Sequence, residues 1–191
     1  PCLLLISSEI LKSSIFSMFL RTDPIFFVFN IFSFTQAFSQ DKWSIEIDDG
    51  KKVWVTRNGE ITHGDKLRFL FTKNNCDVIQ EIFTFYTVAN NKNINSLKGK
   101  VLGIMINHQQ VGAEVLFAFP FLSGHSVWFS LGHYYVEDHI AFWNNTKSYE
   151  VAIIDNKNFK ADEYFDIQKN IWKMENFTQS LLDGQKKCIR L

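Results

Sequence analysis

The chain has 191 residues, enough for one domain of ordinary size. Basic and acidic side chains balance at 20 each, so the formal net charge is zero. A nucleic-acid or anionic-membrane partner needs a clustered positive excess, so the balance argues against that class of partner. The one basic group, Lys186, Lys187 and Arg190, reads as the end of a helix facing its dipole.

The first 39 residues differ from the rest. Met18 is a reasonable start, and Arg21 supplies a positive charge. Pro24 to Phe34 (PIFFVFNIFSF) is a short apolar run, and Ala37-Phe38-Ser39 places small residues before a cut at Gln40. That is the layout of a secretory signal peptide. The run is broken by Asn30 and is shorter than the roughly 20 residues a membrane span needs. The expectation is that 1–39 are removed, leaving a single β-rich domain over 40–191 with no transmembrane span in the mature chain. The location is then periplasmic or secreted. Cys76 and Cys188 form an even pair for an oxidising compartment and read as one disulfide.

From Trp43 to Asp48 apolar and polar residues alternate, the period of a half-buried strand. Asp49-Gly50 follows and then Lys51 to Arg57, a hairpin signal because Gly accepts a positive φ. Asn58-Gly59 marks another turn. Lys66 to Thr72 alternates with Leu67, Phe69 and Phe71 inward. A strand beginning at Cys76 runs to about Val88, and Asn90 to Ser96 is a polar loop. Leu97 to His108 is a strand with Leu102, Ile104 and Ile106 on one face.

The densest aromatic stretch of the expected domain runs from Gly112 to Trp143 and reads as the middle of the sheet. Val115 to Leu122 is apolar at nearly every position, as in a strand covered on both faces. Pro120 marks a strand end, bulge or edge. A turn is expected at Leu131-Gly132, with strands over Ser126 to Leu131 and Tyr134 to Trp143. The inward set is Val127, Phe129, Val136, Ile140 and Phe142. Strands are also expected over Ser148 to Ile154 and Glu163 to Gln168. The tail changes to a helical period, giving a helix over about 174–188 with Gly184 as a weak point. Roughly seven to ten short strands followed by one helix predict a mainly β fold. The expected form is an antiparallel sandwich or partly open barrel with a C-terminal α-helix packed on it.

The chain contains no Gly-x-Ser-x-Gly, no phosphate-cradling glycine loop, no His-Glu-x-x-His and no Cys-x-x-Cys. No catalytic residue, metal ligand set or cofactor is therefore assigned. Two surfaces are candidates for binding. On a single strand, His133, Tyr135, Glu137, His139 and Trp143 share one face, with His125 approaching across the turn. Imidazoles beside a carboxylate can hold zinc or copper, and a solvated sheet face gives the same pattern. Trp54 and Trp128 stand on otherwise polar faces, where an aromatic ring can stack on a sugar or anchor a partner, unless another layer covers them. Asn144-Asn145-Thr146 and Asn176-Phe177-Thr178 match the glycosylation acceptor pattern. The expected role is a non-enzymatic binding or envelope-assembly module, its ligand or protein partner unidentified. The alternatives are a metal-dependent hydrolase on the histidine face and an accessory or inhibitor subunit of an envelope complex.

Overall fold

The computed structural model describes residues 42–62, 64–88 and 93–191. The expected signal segment, 1–39, lies outside the described residues, as does part of the expected polar loop at 90–96. The chain divides after Gln40, and a compact unit runs from Asp41 to Leu191.

That unit contains, in chain order, β1 (Ser44–Asp48), β2 (Lys52–Asn58), β3 (Lys66–Thr72), β4 (Asn75–Thr87), β5 (Val101–Ile106), β6 (Gln109–Phe121) and β7 (Gly124–Tyr135). There follow α1 (Val136–Trp143), β8 (Ser148–Ile153), β9 (Lys169–Lys173) and α2 (Phe177–Ile189). The nine strands form one sheet in the order β1-β2-β3-β4-β7-β6-β5-β8-β9, and every pair is antiparallel. The Gly112–Trp143 stretch does supply the middle of the sheet, through β6 and β7. The fold is mainly β with a C-terminal helix, and the sheet does not close into a barrel.

The sheet curls so that its two ends share one core. Trp172 of β9 meets Phe85 of β4 edge to face, with ring centroids 6.5 Å apart. Asn170 of β9 donates to Asp65 Oδ2 at 2.8 Å and to the Thr62 carbonyl at 3.2 Å, and accepts from the Ile61 N–H at 2.9 Å. Asp65 also accepts from the Tyr86 N–H. Burial holds its carboxyl up at about 7, despite these hydrogen bonds from Tyr86 and Asn170, which pull the other way. This network, with the Glu60 N–H donating to the Ile171 carbonyl at 2.8 Å, joins β9 to the β2–β3 loop.

Local chemistry sets the turns. Asp49 and Gly50 both take positive φ, as the hairpin signal requires. Helix α2 buries Phe177, Leu181, Gly184 and Cys188, residues spaced for one helical face. Gly184 is a close-packing position rather than a weak point. A Cβ there would run into Val55 Cγ2 and stand 3.0 Å from Phe71 Cε2. Cys188 is bonded to Cys76, with Cα atoms 5.7 Å apart, tying α2 to the start of β4. Closing a loop of 112 residues contributes about 4–5 kcal/mol in the chain-entropy view.

Five further expectations are corrected. First, Tyr134 to Trp143 is not a strand, because β7 ends at Tyr135 and α1 begins at Val136. Val136, His139, Ile140 and Trp143 recur at helical spacing, and Glu137 and Asp138 sit in the first turn, where the helix dipole favours acids. Period two also fits this segment, which is why alternation misleads; Phe142, expected inward, is 65% exposed. Second, Leu131-Gly132 is a bulge inside one continuous strand. Glu81 pairs with Gly132 and Ile82 with Ser130, leaving Leu131 as the extra residue, and Gly132 takes φ +121°. Third, Val115 to Leu122 is covered on one face only. Beyond a bulge, Phe117, Phe119 and Phe121 point outward and are exposed. Fourth, β5 begins at Val101, after a 3-10 turn over Ile94–Leu97. Fifth, the last strand is Lys169–Lys173; the Asp155 carboxylate accepts from the Ala161 N–H at 2.9 Å and starts a 3-10 turn at Ala161–Glu163 instead.

Candidate functional site

Strand β4 alternates faces, and its inward series is Ile79, Glu81, Phe83 and Phe85. Glu81 is thus an acid in an apolar register, 3% exposed. The β7 bulge lies directly opposite it. Just beyond the bulge the chain turns into α1, which carries His139 and Trp143 over the same part of the core. From β8, Tyr149 enters fully buried.

Together with β5 and β6, these elements line an open-sided cavity of about 320 Å³. Glu81, His139 and Tyr149 line it, and Leu131, Val111 and Trp143 form apolar walls. The rings are packed against each other: Trp143 and Tyr149 centroids are 4.9 Å apart, and Tyr134 and His139 5.1 Å. His139 Nε2 stands 3.7 Å from Glu81 Oε2, too far for a strong hydrogen bond. Glu81 Oε1, His139 Nε2, the Tyr149 hydroxyl and Trp143 Nε1 are buried without a hydrogen-bond partner. Buried polar groups are ordinarily paired, so four orphans around one cavity call for a reason.

The electrostatics follow from burial. Desolvation raises the Glu81 carboxyl from 4.5 to about 7; the nearby Tyr149 hydroxyl offsets only part of this, without reaching good hydrogen-bond geometry. Desolvation lowers His139 from 6.5 to about 4, so it is neutral near pH 7. Tyr149 is pushed well up, by burial first and by the Glu81 charge second. Tyr134 is raised for the same two reasons, and its hydroxyl donates to the Leu131 carbonyl at 2.9 Å. Oppositely perturbed groups in one cavity are a mark of functional sites.

The expected histidine face is therefore taken apart. His139 and Trp143 enter the cavity, whereas His133, Tyr135 and Glu137 stay exposed on the surface. His125 and His133 lie near opposite ends of β7, about 26 Å along an extended strand. His139 lies on α1, so the three imidazoles do not meet. Among the described residues, no three His, Cys, Asp or Glu side chains are grouped as a metal site.

Trp54 and Trp128 of the expected aromatic set lie side by side, next to residues the sequence did not single out. Trp54 and Trp128 meet edge to face at 6.1 Å on the outer side of the sheet. Phe117 packs on Trp128 at 5.1 Å. The Arg68 guanidinium lies 4.2 Å from the Trp128 ring centroid. Burial lowers Arg68 to about 10, against a smaller opposing pull from Glu46. Because Arg68 occupies a face of Trp128, sugar stacking there requires its displacement. Trp143 belongs to the cavity and not to this face.

Three cavity residues, Glu81, Tyr134 and Tyr149, were not expected from sequence. For Glu81 the signal was visible: a lone acid in the inward register of Ile79, Phe83 and Phe85. Tyr149 alternates with Val151 and Ile153 and reads as core. Its role depends on a register across β5 and β8 that local pattern does not encode. No family model matches this chain, and no curated protein or solved structure does.

Proposed function

We propose that this chain is an exported, disulfide-stapled binding protein that takes a small, mainly apolar molecule into the Glu81–His139–Tyr149 cavity. The cavity carries the reading. At about 320 Å³ it is walled by apolar and aromatic side chains and has a few unpaired polar groups converging in it. That combination is the usual form of a small-molecule site. Export is supported by the Cys76–Cys188 bond and by the leader-like segment before Gln40. Envelope-assembly and accessory-subunit roles draw instead on the exposed Phe117, Phe119 and Phe121 of the outer face.

Thermal melts in the presence of neutral apolar compounds of roughly six to ten carbons test the binding reading. A ligand that binds only the folded state raises Tm with its concentration. The expected result is a saturable rise for some members, lost in Val111→Trp, where the larger ring fills a wall of the cavity. No rise with any compound, or an equal rise in Val111→Trp, would contradict the proposal.

A further inference from the structure

We propose that the cavity selects an organic ammonium ion, a molecule with a compact apolar body and a protonated amine that pairs with Glu81. This rests on the cavity being a binding site and adds the charge of its ligand.

The lining sets the sign. Its charged side chains are Glu81 and Asp138, both acids, and neither Lys nor Arg lines it. His139 is held neutral by burial, so it offers no positive charge near pH 7. An anion entering here meets carboxylates with nothing to offset them. A cation meets a carboxylate whose Oε1 has no donor in good hydrogen-bond geometry, the Tyr149 hydroxyl being only nearby. An ammonium N–H supplies that donor, and the resulting bond is charge-assisted in a water-poor setting.

The walls suit the same ligand. Tyr134, Phe142, Trp143 and Tyr149 contribute aromatic rings to the lining. Ring faces carry negative potential and attract organic cations, most strongly when water is excluded. A metal ion, by contrast, needs several oxygen or nitrogen ligands at short range, and no such group is present among the described residues. Glu81 is buried and Asp138 exposed, so of the two acids lining the cavity one lies deep and one near solvent.

Titratable groups around Glu81 come from three elements: Tyr134 of β7, His139 and Asp138 of α1, and Tyr149 of β8. Both tyrosines are raised, and His139 is already neutral at pH 6, so Glu81 is the cavity group expected to change charge between pH 6 and 8. An aliphatic ammonium stays protonated over that range. Affinity for the cation should then follow the ionised fraction of Glu81.

The test uses three probes on one skeleton: 2-phenylethylamine, 2-phenylethanol and 3-phenylpropionate, titrated calorimetrically. At pH 8 the amine should bind about tenfold or more tighter than the alcohol, and the carboxylate should bind weakest. From pH 8 to pH 6 the amine should weaken roughly tenfold while the alcohol changes little. In Glu81→Gln the preference for the amine should disappear. Equal binding of amine and alcohol, a flat pH response, or a preference that survives Glu81→Gln would overturn the proposal. In each of those cases the cavity remains a binding site. No binding by any probe would defeat the binding reading and this one together.

Discussion

The charge states of Glu81 and His139 make predictions with opposite signs. The Glu81 carboxyl sits near 7 when folded and near 4.5 when unfolded. The folded state therefore holds the proton more tightly, and stability falls as pH rises from about 4.5 to about 7. The full cost, on the order of 3 kcal/mol, is present above that window. His139 has a folded pKa near 4, below its ordinary 6.5, so the unfolded state binds the extra proton. Its contribution is present above about 6.5 and is lost as pH falls toward 4. The two slopes oppose each other between about 4.5 and 6.5, and Asp65, also near 7, adds to the Glu81 trend. Glu81→Gln separates them. Urea unfolding at several pH values should show the variant gaining on the native chain from pH 4.5 upward, levelling above pH 7 at a few kcal/mol. A constant difference across that range would show that Glu81 does not titrate in this way.

At the scale of elements, Gly184 sets how closely α2 lies on the sheet. Alanine is the better helix former by about 1 kcal/mol. Its Cβ, however, has no room between Val55 and Phe71. Gly184→Ala should therefore destabilise by about 1–3 kcal/mol, with a lower urea midpoint; a stabilised variant would mean that the helix shifts freely. The same helix was readable in the sequence because Phe177, Leu181 and Cys188 fit only a helical period. Strands β1 to β3 were readable because each alternates and each turn carries Gly or Asn. Helix α1 was not, since Val136 to Trp143 satisfies both periods and only the sheet's geometry chooses between them. The outward phenylalanines of β6 were misread for a related reason. A run of apolar residues cannot say whether a second layer exists to cover it. Trp54 and Trp128 lie together on the outer side of the sheet, and polar neighbours flank them on their own strands.

At the scale of the whole molecule, one disulfide and one polar network hold a curled sheet whose ends are not joined by a ladder. Cys76→Ser with Cys188→Ser should cost up to about 4–5 kcal/mol, and reducing agent should lower the native Tm by a similar effect. A double variant as stable as the native chain would mean that α2 docks without the bond. The proposed export is checked independently. Mass analysis of the recovered protein should give an N-terminus at Gln40, and a chain retaining Pro24 to Phe34 would contradict removal of the leader. The binding site, unlike these features, is assembled from six elements, β4, β5, β6, β7, α1 and β8, which span residues 75 to 153 of the chain. The most direct test of it is a ¹H–¹⁵N spectrum followed through titration with 2-phenylethylamine and with 2-phenylethanol. Saturable shifts centred on Gly112, His139 and the Trp143 indole are predicted for at least one of the two. Shifts confined to Trp54 and Trp128, or none at the highest concentration of either, would contradict the cavity as the site.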